Sequence, residues 1–383
     1  MVLTRVFVLL FFLSAANLSF GIDFIRVNVS WQYDPLCEIY VQHRTTQVDD
    51  LISVFLIVGG DSISEWNVEL WKQNKYNSES HQLFDGVVVD TLRKTSKRIF
   101  TKMTFKKPTE SLMVVKLSKF ESVFYYDIPL KNGVLPFPSI YPVNNKSNLP
   151  ILTNYINESE VKWLGSTTFY ASSYKERFVE ADPPMAKMKP LAPSVVADSS
   201  FSFASVNRFK DEYFYVIQKD SASAGGVTFL KTHPYFPELK KLEELVFAMQ
   251  YLLNDTEKKG IQASRNLRQS FDSFWLNTYK TKFRARNAIR NYYNWVKQAN
   301  HYFTDFKQGW KTDRGMLFIV YGVPDEVYRS ENTEEWYYDQ GPAFEFSIIA
   351  TFFSSRTYAL RRRIDLEQSW YDYIAAIRRG SNE

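Results

Sequence analysis

The chain has a single cysteine, Cys37, among 383 residues. One thiol cannot form an internal disulfide, so stability must come from packed cores, and the length and 45% hydrophobic content are enough to build several. Past the amino terminus there is no run of about 18 apolar residues, the length a helix needs to cross a bilayer. The four histidines, His43, His81, His233 and His301, are dispersed. They form no His-x-x-x-His or His-x-x-Glu-His group for zinc. There is no Gly-x-Ser-x-Gly elbow and no glycine-rich phosphate loop, and Cys37 has no basic residue beside it to activate it. The net charge of +5 is too small and too scattered to indicate a nucleic-acid partner. No catalytic residue, cofactor or metal is therefore assigned.

What the sequence has in excess is aromatic: 24 tyrosines, 31 phenylalanines and 9 tryptophans, a proportion common in β-rich proteins, where rings fill sandwich cores and line contact surfaces. At the amino terminus, Arg5 precedes an apolar run over residues 6–16, followed by small and polar residues. That order predicts a secretory signal peptide over residues 1–21 and a chain that is exported, periplasmic or outer-membrane-associated. Cys37 lies too far beyond the run to serve as a lipid attachment site. Basic clusters at residues 94–107 and 361–363 read most simply as solvated strand edges and helix ends.

Residues 22–130 carry short alternating segments at 25–31, 38–43, 52–58, 66–71, 86–91, 98–105, 112–117 and 123–130, separated by turn residues. Eight strands of this spacing predict an all-β, immunoglobulin-like sandwich. Residues 131–150, with Pro136, Pro138, Pro142 and Pro150, read as a linker. Residues 151–231 predict a second, smaller β domain, interrupted over 182–197 by Pro183, Pro184, Pro190 and Pro193. From Pro237 the apolar period becomes helical, predicting helices over 239–253, 262–282 and 287–304. The last of these carries Tyr292, Tyr293, Val296, Ala299, Asn300 and Phe303 on one stripe.

Next come Gly309, Trp310, Thr312, Asp313, Arg314 and Gly315, an apolar run over 316–321, and then Gly322, Val323, Pro324, Asp325 and Glu326. This order resembles the GWxTD domain of exported proteins from Bacteroidota-like bacteria. Trp336, Tyr337, Tyr338, Phe344, Glu345 and Phe346 extend the resemblance, while Val323 stands where a second proline is frequent. The family has no settled activity to carry over. Read locally, Gly309 ends a helix in the left-handed conformation, Thr312 and Asp313 bond turn amides, and Arg314 pairs with a carboxylate. Residues 316–321 form a buried strand paired with others at 335–338 and 343–353, and Asp365 caps a closing helix. Residues 232–383 are thus expected to be an α+β domain within a multidomain chain.

Two functions remain open. In one, the protein is a non-catalytic envelope component that binds a protein partner as a scaffold or assembly element. In the other, it binds or hydrolyses glycan, with Asp313, Asp325, Glu326 and Glu345 converging in a cleft. The simpler reading of these acids is a paired Asp313 and a loop beginning at Asp325.

Overall fold

The computed structural model describes residues 22–380, apart from 79–80, 134, 176–177, 188–195, 224 and 352. The expected signal peptide and Pro190 and Pro193 of the expected proline-rich loop lie outside the described residues. The fold is multi-sheet and mostly β, with helices gathered in the carboxyl-terminal part. Among the described residues no helix is long and apolar enough to cross a membrane.

Two antiparallel four-stranded sheets form the amino-terminal unit. The strands are β1 (Ile39–Val48), β2 (Leu51–Gly60), β3 (Asn67–Gln73), β4 (Gln82–Leu83), β5 (Val88–Lys94), β6 (Arg98–Lys106), β7 (Leu112–Lys119) and β8 (Ser122–Pro129). The sheet orders are β1-β2-β6-β5 and β4-β3-β7-β8. Alternation places Ile52, Val54, Leu56 and Val58 of β2 and Met113, Val115 and Leu117 of β7 in one shared core.

The expected strand at 25–31 does not form. The segment instead makes 3-10 turns at Phe24–Arg26 and Ser30–Tyr33. Trp31 enters the sandwich core, whereas Phe24, Val29 and Tyr33 enter the core of the carboxyl-terminal unit. Alternation predicted one core-facing side carrying Ile25, Val27, Val29 and Trp31, but Ile25 is exposed and Val29 and Trp31 enter different cores. The Val29 N–H donates to Val327 O at 2.8 Å, and the Asn28 carboxamide accepts the Val327 N–H at 3.0 Å.

Part of the expected linker is also strand. β9 (Tyr141–Asn144) pairs with β11 (Val161–Leu164), which pairs with β14 (Val206–Asn207). Proline-rich composition hid β9 because Pro142 sits on an edge strand, where a missing N–H is tolerated. The neighbouring sheet contains β10 (Tyr155–Ile156), β12 (Phe169–Lys175), β13 (Ser199–Phe203), β15 (Tyr213–Gln218) and β16 (Val227–Lys231), in the order β10-β16-β15-β12-β13. Trp163, fully buried, fills this core with Phe169, Phe209 and Phe229.

The helices are α1 (Leu242–Ala248), α2 (Asp255–Gln262), α3 (Leu267–Tyr279), α4 (Lys282–Phe303), α5 (Asp313–Tyr321) and α6 (Glu367–Arg379). The expected helix 239–253 is shorter, passing into a 3-10 turn at Met249–Leu252, and Asn254 and Glu257 form a capping box that starts α2. The expected 262–282 helix is split, because Asn266 caps α3 afresh. Asp365 makes no cap: it lies in a 3-10 turn, and α6 begins without a side-chain cap.

The largest correction concerns residues 316–321, which are helix α5 rather than a strand. The Thr312 hydroxyl accepts the Gly315 N–H at 3.0 Å and the Thr312 carbonyl accepts the Met316 N–H at 2.9 Å, fixing the first turn. Every residue from Gly315 to Tyr321 is buried. A helix apolar on all sides has no period to read, so its sequence is indistinguishable from a buried strand. The sheet beneath it is an antiparallel meander of β17 (Glu326–Arg329), β18 (Thr333–Tyr337), β19 (Phe344–Ile349) and β20 (Thr357–Leu360).

Phe24→Ala tests the shared core. The ring is fully buried, and its truncation should cost about 3–5 kcal/mol. Amide exchange should accelerate in α5 and β17 more than in the sandwich strands; an unchanged denaturation midpoint would refute the packing.

Candidate functional site

The signature residues hold three backbone segments at close range. Asn300, fully buried on α4, donates to Pro237 O at 3.0 Å and accepts the Trp310 N–H at 3.1 Å. The Thr304 hydroxyl donates to Asn300 O at 2.6 Å and accepts the Gly309 N–H at 3.0 Å. Gly309 is not left-handed, as the sequence suggested, but opens a 3-10 turn at Gly309–Lys311. Its requirement is contact: a Cβ there would lie 2.0 Å from Ala299 O, and one on Gly315 would lie 1.9 Å from Gly309 O. The Thr312 hydroxyl closes the turn by donating to Gly309 O at 2.7 Å. Trp310 is buried, donates through Nε1 to Gln308 at 2.8 Å and receives the Tyr251 hydroxyl on its carbonyl at 3.0 Å.

The acids go to separate partners. Asp313 accepts the Leu360 N–H at 2.8 Å and pairs with Arg362 at 2.7 Å, fastening α5 to β20. It does not pair with Arg314. Gly322, at φ 84°, ends α5, and Pro324 is buried behind it. Asp325 is exposed and accepts the Asp339 N–H at 2.8 Å, and Glu326 is exposed at the start of β17. Glu345 pairs with Arg361 at 2.9 Å. Asp313, Asp325 and Glu345 thus each have a separate structural partner.

Sequence reasoning missed the densest group of charges, which lies between the sandwich and the carboxyl-terminal sheet. Arg329 on β17 donates through Nε to Glu334 at 2.7 Å, through Nη2 to the Tyr33 hydroxyl at 2.7 Å, and through Nη1 to Asp127 of β8. Tyr33 donates to Glu334 at 2.8 Å, and the Trp336 indole donates to the same carboxylate at 2.9 Å. Arg314, facing this group from α5, lies 3.4 Å above the Tyr358 ring and donates to Tyr33 at 2.9 Å. Tyr76 donates to Asp127 at 2.8 Å. Burial drives the Asp127 and Glu334 carboxyls upward, but the Arg329 guanidinium, with Arg356 beside Asp127 and Arg314 beside Glu334, outweighs it and holds both below their ordinary values. Such a group leaves no local sequence signal, because its members lie up to 301 residues apart.

This network borders a cavity of about 590 Å³, lined from the sandwich, the second β unit and the carboxyl-terminal unit. Two wall residues titrate in opposite senses. His43 bonds the Tyr126 hydroxyl at 2.9 Å, and burial pulls its pKa down to about 4 against the opposing Asp127 charge. Burial pushes the Asp305 carboxyl up to about 7, against a hydrogen bond from Ser354 and the Arg314 charge. His43 stabilises the fold above its ordinary pKa of 6.5 and loses that contribution as pH falls toward 4. Asp305 contributes fully below its ordinary 3.8 and loses its contribution as pH rises through 7. Relative to the parent, stability should therefore rise with pH across this window in Asp305→Asn and fall with pH in His43→Gln. Urea midpoints at several pH values measure both, and two variants with the parent's profile would contradict the assignment.

No curated protein matches the chain. The GWxTD domain family model matches residues 213–379, from β15 to the end of α6. With Gly309, Trp310, Thr312 and Asp313 forming the turn between α4 and α5 inside that match, this chain carries a GWxTD domain.

Proposed function

We propose that the protein is a non-catalytic scaffold or assembly component of the cell envelope, exported behind a signal peptide at residues 1–21, that docks an extended segment of a protein partner. The observation that carries this reading is the free edge of the sandwich. All seven residues of β5 are exposed, including Val88 at 61%, Val89 at 53% and Leu92 at 39%, with Leu83 of the adjoining edge strand β4 at 65%. Among the described residues no strand pairs with the outer side of β5, and an edge of this kind offers unpaired backbone groups to an added strand. Residues 86–107 hold seven basic side chains against one acid, so the fitting partner is an acidic segment.

The strand orders β1-β2-β6-β5 and β4-β3-β7-β8 support reading residues 22–130 as immunoglobulin-like, since in chain order they correspond to A-B-E-D and C′-C-F-G. We divide the remainder into a second β domain reaching to residue 231, which takes in strand β9 from the segment first read as a linker, and the α+β part from 232 to 383. The separate engagement of Asp313, Asp325 and Glu345 supports the non-catalytic reading over glycan hydrolysis.

A photo-crosslinker at position 89 tests the proposal in the native envelope. One reproducible protein adduct is expected from position 89, with none from the exposed control position 36, and Leu92→Lys should abolish it while leaving the fold unchanged. Equal adducts from both positions, or retention only on polysaccharide, would overturn it.

A further inference from the structure

The central cavity has the size of a small-molecule site, about 590 Å³ within a usual range of roughly 300–1,000 Å³. Among the described residues its wall carries Arg44, Lys131, Arg314 and Arg356 but only one acid, Asp305, whose pKa burial pushes up to about 7. Asp127 and Glu334 pair with Arg329, and Asp127 also with Arg356 at 3.9 Å and Glu334 with Arg314 at 3.4 Å. Arg44 has no counter-ion among the described residues: its Nε donates to Ile151 O at 2.7 Å and its Nη2 to Thr153 O at 2.8 Å. Burial without a compensating charge pulls its pKa down to about 10.

Three further wall residues hold buried polar atoms with no partner among the described residues: Gln32 Nε2, Thr45 Oγ1 and Arg356 Nη2. Gln32 is oriented by Arg329, which donates to its Oε1 at 3.2 Å, so the amide nitrogen is the free end. Unsatisfied buried donors are uncommon and call for a cause. Gln32 Nε2 and Arg356 Nη2 are donors that an acceptor-bearing anion would satisfy, whereas Thr45, the residue after Arg44 on β1, faces the opposite side of that strand. The wall also carries aromatic rings, among them Tyr126, Tyr302 and Tyr358, and such rings cover a flat apolar body.

We propose that this cavity binds a small organic oxyanion, a carboxylate or phosphate carried on a flat apolar body, with Arg44 and Arg356 as its principal donors. Because the wall comes from all three units, the same ligand would lock them in their present arrangement. The site is independent of the β5 edge, so the failure of either reading leaves the other standing.

The test uses the chain from residue 22 onward, with 8-anilinonaphthalene-1-sulfonate as the anionic probe and N-phenyl-1-naphthylamine as its uncharged counterpart. The sulfonate should bind at one saturable site and raise the melting temperature. Arg44→Gln and Arg356→Gln should each weaken it at least about tenfold, the loss expected for one charge-assisted hydrogen bond, with the uncharged probe unaffected. Should either variant misfold, Lys131→Gln at an exposed wall position keeps the test open, with weaker sulfonate binding expected. Displacement by benzoate or by phenyl phosphate supports the site and distinguishes the two oxyanions. Equal binding of both probes, insensitivity to the arginine variants, or displacement by neither competitor would overturn it.

Discussion

A guanidinium removed from water must find its hydrogen bonds inside the protein, and Arg329 finds them on three parts of the chain at once. Asp127 comes from the sandwich, Tyr33 from the amino-terminal turn, and Glu334 from the neighbouring strand of its own sheet. The gain from pairing buried charges is largely cancelled by their desolvation, so such a group adds little net stability over a well-packed apolar core. What it adds is intolerance of displacement: sliding the sandwich against the sheet would leave Asp127 charged, buried and without a counter-ion, and Arg329 with Glu334 alone. The surrounding aromatics, Tyr33 against Phe303 and Trp336 with ring centroids 5.2 and 5.5 Å away, fill the space that water would otherwise enter. The network therefore sets the geometry of the cavity beside it.

The GWxTD residues serve the same assembly from the opposite side. Gly309 and Gly315 permit backbone approaches that any side chain would block, and Asn300, Thr304 and Thr312 satisfy the amides exposed by so tight a turn. This turn launches α5 with Arg314 in its first turn, directly over Tyr358. The motif is thus explained by placement: it delivers one arginine to the junction of the units, and Asp313 pins the same helix to β20.

How much of this was legible depended on the range of each interaction. Apart from the two-residue β4, which no expected segment covered, the sandwich strands could be read because alternation is a local consequence of one buried face, as in Ile52, Val54, Leu56 and Val58. The stripe on α4 could be read for the same reason, and Tyr292, Val296, Ala299, Asn300 and Phe303 are all buried. Residues 24–33 misled because their apolar positions serve two cores, and α5 misled because complete burial erases periodicity. That Arg314 would meet a carboxylate was legible from the sequence; that the carboxylate is Glu334, shared with an arginine held by Asp127, was not. Only the folded chain brings those residues together.

The central claim is that Asp127 and Arg329 couple the sandwich to the carboxyl-terminal sheet. A double-mutant cycle with Asp127→Asn and Arg329→Met, read by urea denaturation, measures that coupling directly. The account predicts that each single change costs about 3–5 kcal/mol and that the double change costs well under their sum, because removing both charges leaves neither one stranded. Additive costs within about 0.5 kcal/mol would mean that the two residues act independently, and would contradict it.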